Sequence, residues 1–231
     1  MQSFTVPSRF CGPPNSGNGG YTCGMVAREL GGVTECTLRN PVPLDVPLRM
    51  EPTEAGAALR YGEKVIVEAS STTLAIGPPA PIGIEQATEA MASSFALDPR
   101  HPFPTCFVCG PRRAAHDGLN IFPAAVGQNI HAATWLPAAE FGDSRQLVAR
   151  EFLWAALDCP TGFAAGFPMA GKLVTGRLAV DQMRPIRVGE RCLLLSWPLG
   201  VEGRKHFSAA CLYQNEAICA IARATWIRTG N

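Results

Sequence analysis

The chain repeats its own plan, and that constrains its fold more than any other feature. Two helix-like segments occur, each followed by strand-like runs. The first is YTCGMVAREL, Tyr21–Leu30. The second is VAREFLWAALDCPTGF, residues 148–163, where Phe152, Ala156, Cys159 and Phe163 recur at helical spacing. After the first come CTLRNPVPLDVPLRM and AALRYGEKVIVEASSTTL. After the second come GRLAVDQMRPIRVGERCLLLSW and SAACLYQNEAICAIARATWI. The pieces overlay. Pro43-Leu44-Asp45-Val46-Pro47 falls on Pro185-Ile186-Arg187-Val188-Gly189, and the run Leu59–Glu63 falls on Leu212–Glu216. Gly62-Glu63 and Asn215-Glu216 read as tight hairpin turns. A helix followed by an antiparallel sheet, in units of about 100 residues, is thus duplicated in tandem. The expected class is α+β, with residues 1–98 holding the first repeat and a connecting segment, and residues 99–231 the second.

Composition agrees with a well-filled interior. Of 231 residues, 47% are hydrophobic and 17% charged, so a large core is expected and disorder is not. Twenty Lys and Arg face nineteen Asp and Glu, for a net charge of +1. That balance argues against nucleic acid or an anionic membrane as the main partner. No apolar run approaches the ~18 residues of a spanning helix. The opening MQSFTVPSRFCG lacks a basic stretch followed by an apolar one, so no secretory signal is read and a cytoplasmic location is expected. The nine cysteines are odd in number and scattered through apolar segments, which suits buried free thiols in a reducing compartment better than a disulfide framework.

The first helix-like segment is approached through Gly17, Asn18, Gly19 and Gly20. Glycine costs backbone entropy at a helix start, and Asn18 alone would serve as cap. The surplus suggests a group that must reach the free first-turn N–H donors. In the second segment Asp158 sits in an apolar stretch, Trp154-Ala155-Ala156-Leu157-Asp158-Cys159. A buried carboxylate needs a partner or a task. Trp154, Asp158 and Thr161 share a helix face, so Thr161 is positioned to bond it. A second reading has Asp158 capping a segment that restarts at Pro160. Pro160 also leaves the carbonyl of Ala156 without its helical donor.

CFVCGPRRAAHDGLNIF, residues 106–122, resembles the CFxCGxxNxxGLxxxF opening of hotdog-fold thioesterases of the phenylacetic-acid type, although the Asn of that pattern is not at its place. FLWAALDCPTGFAA is similar to that family's central helix with its mid-helix acid. GNGGY is similar to its HGG approach, with Asn18 where His would stand. The resemblance implies a double hotdog, two long helices each wrapped by a curved antiparallel sheet, with the active site between the units. One helix N-terminus would hold the thioester oxygen, and the opposite helix would supply a carboxylate that attacks directly or activates water. The first half keeps Asn18-Gly19-Gly20 but has no mid-helix Asp; the second has Asp158 but no glycine pair. One composite site per chain follows, with Asp158 as base or nucleophile, Gly19 and Gly20 as oxyanion donors, and Asn18, Tyr21, Trp154 and Thr161 as substrate contacts. For Asn18 a plain N-cap, and for Tyr21 simple packing, are the alternatives.

The implied substrate is an acyl-CoA or acyl-carrier thioester, the implied reaction hydrolysis, and the implied cofactor none. Double units are candidates for pairing into a homodimer. Rival readings are a hotdog hydratase or dehydratase, which would need a His beside the acid, and a binding protein without turnover. Cys106-x2-Cys109, flanked by His101 and His116, raises zinc, but the spacing does not complete a known ligand set and packed thiols are the simpler reading. Nothing places His131 or His206 beside a chosen cysteine for Cys–His chemistry. Lys172, Arg177, Arg184, Arg187, Arg204 and Lys205 include candidates for coenzyme A phosphates, but read mostly as solvated charges.

Overall fold

The structure, a computed structural model, describes residues 2–114 and 116–230. Among the described residues three α-helices are formed: α1 (Gly19–Leu30), α2 (Ile84–Met91) and α3 (Arg150–Ala164). The first half adds β1 (Gln2–Thr5), β2 (Thr34–Leu38), β3 (Pro47–Thr53), β4 (Gly56–Tyr61) and β5 (Lys64–Ser71). The second half adds β6 (Ala124–Gly127), β7 (Ile130–Trp135), β8 (Leu173–Gln182), β9 (Cys192–Glu202), β10 (Lys205–Gln214) and β11 (Ala217–Arg228). All eleven strands make one sheet in the order β1-β3-β4-β5-β2-β8-β11-β10-β9-β7-β6. Reading outward from the β2–β8 seam, the halves repeat each other: β2, β5, β4, β3, β1 on one side and β8, β11, β10, β9, β7 on the other. β6 is an extra edge strand. This is the double hotdog, with α1 and α3 packed on the sheet of their own halves and against each other.

The repeat is visible in single hydrogen bonds. The N–H of Asn18 donates to the carbonyl of Phe10 at 2.8 Å, and that of Ala149 to Phe141 at 2.9 Å. Gly17 donates to Val42 at 3.0 Å, and Val148 to Ile186 at 2.8 Å. The second hairpin of each half carries a bulge at the same place, after Leu59 in β4 and after Leu212 in β10, as the sequence overlay pairs them. Asn215 and Glu216 both take positive φ, +51° and +63°, the twist a two-residue hairpin needs. The overlay of the preceding loops shifts by two residues: Val42, not Leu44, is the counterpart of Ile186.

Two layers of core explain the apolar run Cys192–Leu195. Cys192 and Leu194 face the helices. Leu193 and Leu195 face the other way, into a second cluster with Ala132, Tyr213 and Ile221. A strand buried on both faces reads as continuous rather than alternating. What covers the outer face is the Pro-rich connector. Leu74, Ile76 and Ile82 pack there with Ala87 of α2, and Tyr213 donates its hydroxyl to the carbonyl of Pro79 at 3.2 Å. The connector, grouped by sequence with the first repeat, therefore packs its helix on β6 and β7 of the second.

The helix pair sets the distance between the halves. α1 runs antiparallel to α3, with Gly20 against Trp154, Ala155 and Asp158 and Gly24 against Arg150, Glu151 and Trp154. A Cβ on Gly24 would lie 2.6 Å from the Cα of Glu151. That neighbour is backbone and has no rotamer to escape into. Gly24→Ala should therefore destabilise the fold by about 1–3 kcal/mol through overpacking. Helix propensity alone would stabilise it by ~1 kcal/mol. Urea unfolding decides by sign: a midpoint that falls with unchanged slope supports close packing, and one that rises refutes it.

Candidate active site

Asp158 lies on the third turn of α3 and is 1% exposed. Its Oδ2 accepts the backbone N–H of Gly20 at 3.0 Å and the amide Nδ2 of Asn18 at 3.3 Å. Its Oδ1 accepts the hydroxyl of Thr175, from β8, at 2.8 Å. Burial pushes the carboxyl up to about 7, against the opposing pull of Thr175, Gly20 and Asn18. A carboxylate held near neutrality, with three donors fixing its orientation, is equipped to take and return a proton. About four lone-pair sites are available on a carboxylate. Three are used, which leaves one for a cavity water.

Asn18 caps α1 and also reaches the carboxylate. Its Oδ1 accepts the N–H of Tyr21 at 2.9 Å, which caps α1, while its amide donates to Asp158. The glycines divide their roles. Gly20 does not present a free N–H, because Asp158 takes it; a Cβ there would lie 2.5 Å from the Cβ of Asp158. Among the described residues, the N–H of Gly19 has no hydrogen-bond acceptor within the chain. Gly19 lies on the cavity wall. Of the two glycines, Gly19 alone keeps an N–H without an acceptor among the described residues, where two were expected.

The cavity has a volume of about 470 Å³, within the range that takes a small ligand. Asn18, Gly19, Asp158 and Thr175 form its polar part. Phe103, Phe163, Phe167, Leu173 and Trp226 form apolar walls, and the sulfurs of Cys106, Cys109 and Cys159 complete them. No histidine of the described residues lines it. Arg39 is its single basic wall residue among those described; it is half exposed and pairs with Glu68 at 2.7 Å. None of the basic residues picked out from the second half lines the cavity. Arg177 instead pairs with Glu35 across the β2–β8 seam at 3.2 Å, where Arg223 joins it.

Three expected contacts lie elsewhere. Trp154 is fully buried under the α1–α3 crossing and off the cavity wall. Tyr21 is stacked on Phe10 at 4.2 Å between ring centroids and belongs to an aromatic cluster with Phe107 and Phe152. The hydroxyl of Thr161 donates to the backbone carbonyl of Asp158 at 2.6 Å and accepts from the indole N–H of Trp226 at 2.8 Å, so it holds a cavity wall rather than the carboxylate. All sides of α3 are covered, so sharing a helix face did not select a partner. Thr175 takes the place expected of Thr161, and only strand β8, not spacing along α3, brings it there. The segment restarting at Pro160 is not separate: α3 runs through it to Ala164.

The pseudo-equivalent position on the other side of the helix pair is built differently. By the correspondence of Phe10 with Phe141 and of Asn18 with Ala149, Ala27 stands where Asp158 would be, and Ala149, Arg150 and Glu151 replace Asn18, Gly19 and Gly20. There Arg28 pairs with Glu151 at 3.1 Å, and Arg150 donates to the carbonyl of Gly32. The asymmetry seen between the halves in sequence is an asymmetry between two ends of one helix pair.

No protein-family model matches the chain, and no curated protein matches it significantly. Solved structures do. The chain is similar to the uncharacterized protein PH1136 from Pyrococcus horikoshii, at 18% identity over 49% of this chain and 85% of that one, with a TM-score of 0.44. It is similar to a putative thioesterase, a phenylacetic acid degradation-related protein from Ralstonia eutropha JMP134, at 19% identity over 47% and 85%, with a TM-score of 0.43. It is also similar to a thioesterase superfamily protein from Shewanella loihica PV-4, at 21% identity over 48% and 91%, with a TM-score of 0.41. Each of these spans about half of this chain.

Proposed function

We propose that the chain is a thioesterase that hydrolyses acyl thioesters, acyl-CoA or acyl-carrier, at one site between its two hotdog units. The observation that carries this reading is the meeting of Asp158 with the N-terminus of the opposite helix at the polar end of an otherwise apolar cavity. The apolar walls suit the acyl group. The thioester carbonyl oxygen points at the N–H of Gly19, where the α1 N-terminus adds its partial positive charge. Asp158, oriented by Thr175, removes a proton from water as the water oxygen bonds to the carbonyl carbon. Negative charge collects on the carbonyl oxygen facing Gly19. Collapse of this intermediate breaks the carbon–sulfur bond, and the proton returns from Asp158 to the departing sulfur. A carboxylic acid and a thiol leave.

The absence of histidine from the described cavity wall favours hydrolysis over hydration, which would need a His beside the acid. No metal or redox cofactor enters these steps.

Thiol release from a panel of short, long and aromatic acyl-CoAs tests the proposal. Asp158→Asn keeps the shape and should lower kcat/KM by about 100-fold or more, within the range for general-base loss. Equal rates in variant and parent would remove Asp158 from the chemistry. No release from any thioester, with crotonyl-CoA hydrated instead, would transfer the site to a hydratase. Binding without turnover of either kind would make it a binding protein.

Thr175→Val gives an independent check. Loss of one hydrogen bond to a charged group is worth roughly 1.5–3 kcal/mol, so kcat should fall about 10- to 100-fold with KM little changed. On the Asp158→Asn background the same substitution should do almost nothing, because Thr175 acts through that carboxylate. Additive losses in the double variant would show that it does not.

A further inference from the structure

We propose that Cys106, Cys109 and Cys159 form a three-thiolate site that binds a zinc ion in the wall of the cavity. This goes beyond the hydrolytic reading and does not depend on it.

The three sulfurs lie within 4.8 Å of one another, all buried, with Cys106 and Cys159 at 3.7 Å. Zinc–sulfur bonds of about 2.3 Å in a tetrahedron set sulfurs ~3.8 Å apart. Small rotamer shifts of Cys109 therefore complete the triangle. Cys106-Phe107-Val108-Cys109-Gly110 is a tight turn in which the N–H of Gly110 donates to the carbonyl of Cys106 at 2.9 Å. A Cβ at Gly110 would lie 2.5 Å from the backbone N and O of Cys106, so the turn admits only glycine there without moving.

His101 supplies the outer support. Its Nδ1 accepts the N–H of Phe103 at 3.0 Å, which leaves the proton of the neutral ring on Nε2. Nε2 stands 3.5 Å from the sulfur of Cys109, placed to donate to it. His101 thus orients Cys109 without ligating, as hydrogen-bond partners of metal ligands do. The fourth position of the ion faces the cavity, where water or a ligand completes it. Three thiolates select a soft, thiophilic ion. Zinc leaves the buried cluster with one net negative charge, whereas copper(I) would leave two beside Asp158. In binding, the three thiols lose their protons to solvent and the ion gives up the waters that the three sulfurs displace.

The test uses the intact reduced chain. Elemental analysis after gel filtration in the presence of EDTA should find one zinc per chain. Exchange with cobalt(II) should give the intense near-ultraviolet band of sulfur-to-cobalt charge transfer. Cys109→Ser and Cys159→Ser should each lose the retained zinc and weaken the cobalt band, while Cys219→Ser, outside the cluster, should keep both. Zinc well below one equivalent with no cobalt band, all nine thiols titrating as free, would overturn the site. So would a disulfide within the cluster or copper in place of zinc. If the serine variants fail to fold, the metal content and cobalt spectrum of the unaltered chain decide alone.

Discussion

The contact between Gly20 and Asp158 organises much of the molecule. It is a backbone donor of one helix meeting a carboxylate of the other. For the two to meet, the helices must approach closely, and Gly20 and Gly24 remove the Cβ atoms that would prevent it. For the carboxylate to stay there, its burial must be offset. Thr175 and Asn18 provide two more hydrogen bonds, and the first turn of α1 provides partial positive charge. The offset is incomplete, which is why the carboxyl sits near 7 rather than in the ordinary carboxylate range. A fully compensated aspartate would be an inert structural anchor, and an uncompensated one would remain protonated. The geometry keeps Asp158 between those limits, facing an apolar cavity.

Fusing two hotdog units into one chain is what permits this arrangement to exist once. In a symmetric pair of single units, any residue added at one end of the helix pair appears at the other. Here the ends are free to differ. One combines Asn18, Gly19 and Gly20 with Asp158; the other has Ala149, Arg150 and Glu151 opposite Ala27, joined by the Arg28–Glu151 pair. Fusion also supplies the connector. Residues from Leu74 to Ala87 lie over the outer face of the second half-sheet and turn strand residues such as Leu193 and Leu195 inward on both sides. Among the described residues the first half has no such cover, so the halves differ on the outside of the sheet as well as at the helices.

The sequence was informative where the physics is local. Hairpin turns and helix positions depend on neighbouring residues, and the overlay of Leu59 on Leu212 falls where both hairpins carry a bulge. The pairing of Asp158 with the Asn18–Gly20 stretch was also legible, because it rests on comparing what each repeat lacks. What stayed hidden depends on register and rotation. Thr175 reaches Asp158 only because β8 continues the sheet beside β2. Trp154 and Thr161 shared the face of Asp158 by helical arithmetic, but a helix buried on every side has no exposed face to single out a site. The glycines read as openings for a ligand, and one of them is instead a packing contact. Cys159 was simply another core thiol until the Cys106–Gly110 turn was seen beside it.

That turn shows how the segment with the sharpest sequence pattern supports the cavity without bonding to Asp158. Cys106–Phe122 runs against both halves. Phe107 donates its N–H to Cys11 and joins the aromatic cluster of Tyr21 and Phe152. Arg113 stands near where the family pattern has Asn. Its guanidinium donates to Arg9, Thr105 and Asp117, so it ties the crossing segment to the first half by its backbone. At the other end Cys106 touches Cys159, the residue after Asp158. The segment therefore spans from the aromatic cluster behind α1 to the turn of α3 that carries the carboxylate. A displacement of it would disturb the cavity wall and the helix bearing Asp158 together, with no change to Asn18, Gly20 or Thr175, which hold the carboxylate.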